Sequence, residues 1–145
     1  MDAEMVELLT RAAHSAEAVL ERLEPADHDR PSPCPGMTVA QVAGHLIGGI
    51  RGFAEVGEGG ELRFDAKLDP DLAREVAAAV YRSAVERLLA AFTESGRIDS
   101  TYSMPWGPTT GVQLLGFALI ETVVHGWDIA RGLGIELEVD DEVAG

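Results

Sequence analysis

The most constraining stretch of the chain is Val112 to Ile129, an apolar run into which a carboxylate, Glu121, and an imidazole, His125, are set. Val112, Leu114, Leu115, Phe117, Leu119, Ile120, Val123 and Val124 predict a helix buried over most of its circumference. At i and i+4, Glu121 and His125 project from one face of that helix, one turn apart. A carboxylate buried without a partner is costly, and no Lys or Arg lies between Arg97 and Arg131 to neutralise it locally. A bound metal cation is therefore the first expectation. The spacing alone is a weak signal, and it gains weight because both residues interrupt an apolar run.

Three other segments carry helical periodicity. The first spans about Ala3 to Leu23, with Met5, Leu9, Ala12, Ala16, Val19 and Leu23 in one stripe and His14 on the opposite, exposed side. Pro25 ends it, and a rigid loop follows through Pro31, Pro33 and Pro35, in which His28, between Asp27 and Asp29, reads as solvated. The second helix opens on a capping box, Thr38 with Gln41, and a hydrophobic staple, Met37 with Val42. Its apolar face is Val39, Val42, Leu46, Ile50 and Phe53. His45 stands in this helix among Gly44, Gly48, Gly49 and Gly52. Glycines there cost about 0.5–1 kcal/mol each against alanine, and mark close approach by another helix or a ligand. His45 is thus either a core histidine satisfied by a hydrogen bond or a ligand.

Val56 to Leu68 reads as a loop, and the third helix is expected from Asp69, an N-cap, with Pro70 at its first position. Leu72, Val76, Val80, Leu88, Leu89 and Phe92 would face the core, Arg74, Arg82, Glu86 and Arg87 the solvent, and Ser95-Gly96 would close the helix. In the connector Arg97 to Thr109, Ile98, Tyr102, Met104 and Trp106 alternate with polar residues, which suits a short strand or an extended crossing. A second capping box, Thr110 with Gln113, opens the helix that carries Glu121 and His125, and Gly132 or Gly134 ends it.

Four amphipathic helices imply an all-α four-helix bundle with a short extended connector before the last helix, formed by residues 1–135 and followed by an acidic tail, 136–145. In such bundles metal sites are built from inward side chains of facing helices. His45 from helix two with Glu121 and His125 from helix four would leave one position open, as in a catalytic rather than a structural zinc site. A di-iron site needs paired Glu-x-x-His motifs and a zincin needs His-Glu-x-x-His; the chain has neither. With 25 acidic against 11 basic residues, net −14, nucleic acid and anionic membranes are not expected partners. A single cysteine, Cys34, excludes an internal disulfide and fits a reducing cytoplasm. No signal peptide or bilayer-spanning run is recognised.

The segments Ser32 to His45 (SPCPGMTVAQVAGH) and Glu121 to Arg131 (ETVVHGWDIAR) resemble the two signatures of the DinB-like metal-binding superfamily. The nearer resemblance is to the branch related to the actinobacterial mycothiol-dependent maleylpyruvate isomerase, over about Ala3 to Leu133. It implies that His45, Glu121 and His125 hold a divalent metal, usually zinc, which activates mycothiol or a similar small-molecule thiol. That isomerase looks like a two-domain protein, whereas this chain ends soon after helix four, so a thiol S-transferase is expected before an isomerase. The partners would be the thiol and an electrophile, in a monomer or a homodimer. The alternative is a non-catalytic metal-binding or stress-response module of the same fold.

No catalytic residue is assigned. Asp128 could accept a hydrogen bond from a ligand imidazole or pair with Arg131. Trp127 reads as a core or interface aromatic before a substrate platform, Trp106 and Tyr102 as candidates to roof the pocket, and Cys34 as a loop residue outside the ligand set.

Overall fold

A computed structural model describes residues 2–61, 77–94 and 96–135. The expected cap at Asp69-Pro70, the core positions Leu72 and Val76, Arg74, Ser95 and the tail 136–145 lie outside them. The described helices are α1 (Asp2–Leu20), α2 (Val39–Gly57), α3 (Ala77–Thr93) and α4 (Gly111–Leu133), and a hairpin of β1 (Thr101–Met104) and β2 (Gly107–Thr110) precedes α4.

Local chemistry sets the ends. In α2 the Thr38 hydroxyl accepts from the Gln41 amide while the Gln41 side chain accepts from the Thr38 N–H. Thr110 and Gln113 repeat this at the head of α4. Together they satisfy amides that have no partner within the helix. α4 stops at Gly134, whose φ of 74° is open to glycine. Gly132 lies within the last turn, and a Cβ there would collide with Val39 Cγ2, so α4 closes directly on the first turn of α2.

α1 and α2 each pack against both α3 and α4, which leaves α3 and α4 diagonal to each other. One core fills the centre, with Leu9, Leu46, Ile50, Leu88, Phe92, Leu114 and Leu115 fully buried. Across it Tyr81 of α3 and Thr122 of α4, both buried, bond hydroxyl to hydroxyl at 2.9 Å. Burial pushes the Tyr81 phenol far above its ordinary pKa, so it stays neutral.

Several expectations are corrected. α4 is not buried around most of its circumference: Phe117, Ile120, Val124 and Trp127 are 37, 58, 49 and 48% exposed along one stripe. A helix that is apolar on every side does not say which side meets the core. His28 is buried, not solvated, because the loop folds back through Val39 N–H to Arg30 O and Ala40 N–H to His28 O; its Nε2 has no partner among the described residues. Arg82 and Arg87 remain exposed but are not merely solvated. Arg82 donates to Glu17, a nearly buried carboxylate on α1, and Arg87 Nε lies 2.9 Å from Glu58 Oε2. α1 ends at Leu20, three residues before the expected Leu23.

Candidate metal centre

His45 sits near the middle of α2, and Glu121 and His125 share one face of α4. The packing of these two helices brings the three together, with one ligand atom from each lying within 4.8 Å of the others. His125 Nε2 is 2.9 Å from Glu121 Oε2, and His45 Nε2 is 3.7 Å from the same oxygen. The two imidazoles meet edge to face with centroids 4.9 Å apart. Among the described residues no other such group of His, Cys, Asp and Glu occurs.

The arrangement is tied down from behind. Asp128 is buried, and its Oδ2 lies 3.2 Å from His125 Nδ1. A proton on Nδ1 leaves the lone pair of Nε2 pointing into the cluster, the arrangement that metal-binding imidazoles adopt. Of the two roles open to Asp128, the structure shows the bond to His125. Arg131 instead places its guanidinium 5.5 Å over the ring of Trp127.

Electrostatics follow from these distances. The hydrogen bond with His125 holds the Glu121 carboxyl below its ordinary range despite partial desolvation. The same bond raises the His125 imidazole, with Asp128 adding to the effect. Glu121 is 35% exposed at its side chain, less sequestered than the surrounding apolar run suggests, because it opens onto a cavity.

That cavity, about 310 Å³, is lined by His45, Gly49, Phe53, Trp106, Phe117, Ile120 and Glu121. The hairpin presents Trp106 at its wall: Pro105 and Trp106 form the two-residue turn, and Gly107, with φ 121°, completes it. Trp106 Nε1 donates to Thr109 Oγ1 at 2.8 Å, and the ring stands edge-on to Phe117 at 5.6 Å. Trp106 thus joins the pocket wall. Tyr102 does not roof it: its ring packs on Phe92 and its hydroxyl donates to Arg97 O. Trp127 is half exposed, neither in the core nor on the cavity wall. Cys34 lies with Sγ 3.5 Å from Met37 Sδ and belongs to no ligand cluster. The wall residues Phe53, Phe117 and Gly49 were legible in the sequence only as core or as helix-weakening positions.

Two imidazoles and a carboxylate, one imidazole oriented by a further carboxylate, suit a divalent ion such as zinc, and the cavity leaves room for an exogenous ligand. The model of the mycothiol maleylpyruvate isomerase N-terminal domain matches residues 9–130. The chain belongs to this family. Two uncharacterized proteins of Mycobacterium tuberculosis, MT0763 of strain CDC 1551 and Rv0738 of strain H37Rv, are similar to it. Each is 26% identical over 137 residues, covering 92% of this chain and 70% of the relative. The crystal structure of the mycothiol-dependent maleylpyruvate isomerase shares the fold with TM-score 0.65 at 18% identity, over 89% of this chain. The chain spans 60% of the length of that protein. A DinB-like protein from Bacillus cereus ATCC 10987 superposes with TM-score 0.67 at 16% identity, over 94% of this chain and 95% of its own. The isomerase N-terminal domain family therefore appears here as a DinB-like four-helix bundle. No helix among the described residues is long and apolar enough to cross a membrane.

Proposed function

We propose that residues 1–135 form a divalent-metal site of His45, Glu121 and His125, with zinc the best-matched ion, and that the protein activates mycothiol or a similar thiol for transfer to an electrophile. The observation that carries this is the convergence of the three donors within 4.8 Å beside a cavity of about 310 Å³. A divalent metal bound there would lower the pKa of a coordinated thiol and supply a thiolate at neutral pH.

The chain's own groups do the rest. Asp128 keeps His125 in one tautomer, and Glu121 contributes a negative charge that reduces the cost of holding a cation between two neutral imidazoles. Phe53, Phe117 and Trp106 give the cavity an apolar wall for the body of the ligand. In the transfer, the thiolate sulfur forms a bond to an electrophilic carbon, the leaving group departs with its bonding pair, and the thiol proton passes to solvent. A reducing cytoplasm that holds such a thiol is the matching setting.

A non-catalytic binding module is the second possibility, favoured by one observation. Among the described residues lining the cavity, the only titratable groups are His45 and Glu121, both assigned to the metal, so the lining offers no further charged group to orient an electrophile. Incubating zinc-loaded protein with mycothiol and 1-chloro-2,4-dinitrobenzene separates the two. A transferase releases chloride faster than the uncatalysed thiol does, and loses that excess on chelation. A rate equal to background with this and other electrophiles leaves the binding module.

A further inference from the structure

Two glycines, one within α2 and one within α4, have room for a side chain. A Cβ on Gly49 would meet no atom within 4 Å, and one on Gly116 would meet only Met5 Cε, at an ordinary 3.7 Å. Neither has a positive φ. Mid-helix glycine is unfavourable against alanine, and here neither packing nor backbone conformation requires it. What the two share is what they leave empty. Gly49 lines the cavity beside His45 and Glu121, and Gly116 lines a second hollow of about 480 Å³.

The two hollows share Trp106, Phe117 and Ile120. Of these three, Trp106 is oriented by its bond to Thr109 and its edge-to-face contact with Phe117. The far side is built from Met5, Pro108 and Leu119, with Gln113 and Thr109 as the polar groups, and no described residue lining it is charged. The lining therefore offers a charged ligand group no counter-charge.

We propose that the hollow beside Gly116 is a second subsite of the same ligand site, receiving the uncharged alkyl or aryl body of the electrophile, with Trp106 as the residue that sets which bodies pass. Its role in catalysis rests on the thiol-transfer function; its capacity to bind an apolar chain does not. The test therefore uses n-alkan-1-ols, which carry no thiol, on the metal-free protein.

Calorimetry should show affinity rising from butan-1-ol to octan-1-ol by about fourfold per methylene buried, until the hollow is full. Gly116→Leu, whose side chain enters the second hollow and not the metal cavity, should weaken octan-1-ol at least tenfold and leave zinc stoichiometry unchanged. Equal octan-1-ol affinity in both proteins, or none in the wild type, overturns the subsite. If zinc binding fails while the Gly116 dependence holds, the subsite stands and the thiol function falls. Should Gly116→Leu not fold, nuclear Overhauser contacts in the wild type decide: the octan-1-ol methyl should contact the Met5 methyl, and saturating octan-1-ol without that contact contradicts the proposal.

Discussion

His125 turns one nitrogen to Glu121 and the other to Asp128, whose Oδ2 lies 3.2 Å from Nδ1. One buried carboxylate, three residues along the same helix, therefore decides which imidazole nitrogen is free to bind. Asp128→Asn keeps the volume and removes the acceptor charge. Zinc affinity, read by competition with a chromogenic chelator, should fall about 10- to 100-fold with helicity unchanged. Unaltered affinity would mean that Asp128 serves packing alone.

The Glu121–His125 pair gives the metal-free protein a pH signature. Glu121 titrates below its ordinary 4.5, so its contribution to stability is present above that value and lost as pH falls through the lowered pKa. His125 titrates above its ordinary 6.5, so its contribution is complete below that value and lost as pH rises through the raised pKa. Thermal melts of metal-free protein should show this increment between the two, declining on the alkaline side. Zinc competes with the His125 proton, so zinc affinity should run the other way, weakening as pH drops through the raised pKa. A metal affinity flat from pH 8 to 5.5 would contradict the assignment.

Tyr81 and Thr122 cross the core between diagonal helices, one residue away from Glu121 on α4. Tyr81→Phe leaves the Thr122 hydroxyl buried without this partner and should cost about 1–2 kcal/mol in denaturant unfolding. Thr122→Val orphans the other hydroxyl at a similar cost. The double variant should be less destabilised than the sum of the two, because the bond can be lost only once. Additivity would show that the hydroxyls do not depend on each other.

Glycine replacements should divide by position. Gly132→Ala drives a Cβ into Val39 and should destabilise by about 1–3 kcal/mol, since the last turn of α4 has no room to yield. Gly49→Ala meets nothing and should stabilise α2 by about 0.5–1 kcal/mol while narrowing the cavity. Urea unfolding of the two variants checks both signs.

Features set by a few neighbouring residues were readable before the fold. The capping boxes at Thr38 and Thr110 depend on two side chains three residues apart, while the end of α4 was narrowed only to Gly132 or Gly134, of which the left-handed terminus is Gly134. The Glu121–His125 spacing determines a shared face whatever packs nearby. The logic of a bundle offered His45 as their partner, but only the resemblance favoured a ligand over a core histidine, since two helices far apart in the chain carry no local sign of their register. The same limit explains what was missed. Tyr81 and Thr122 find each other across the bundle, and His28 is covered by a loop that folds back on the start of α2. Around α4, leucines and isoleucines on every side left its core face undecided, so Phe117 and Ile120 read as buried where they line the mouth of a cavity.

Elemental analysis of protein purified without chelator or affinity metal, repeated on His45→Ala, His125→Ala and Glu121→Gln, bears most directly on the site. The wild type should carry one equivalent of a divalent metal per chain, both alanine variants should lose most of it, and Glu121→Gln should bind it more weakly, all with unchanged helical circular dichroism. Full metal occupancy in both alanine variants would show that these three side chains are not the ligands.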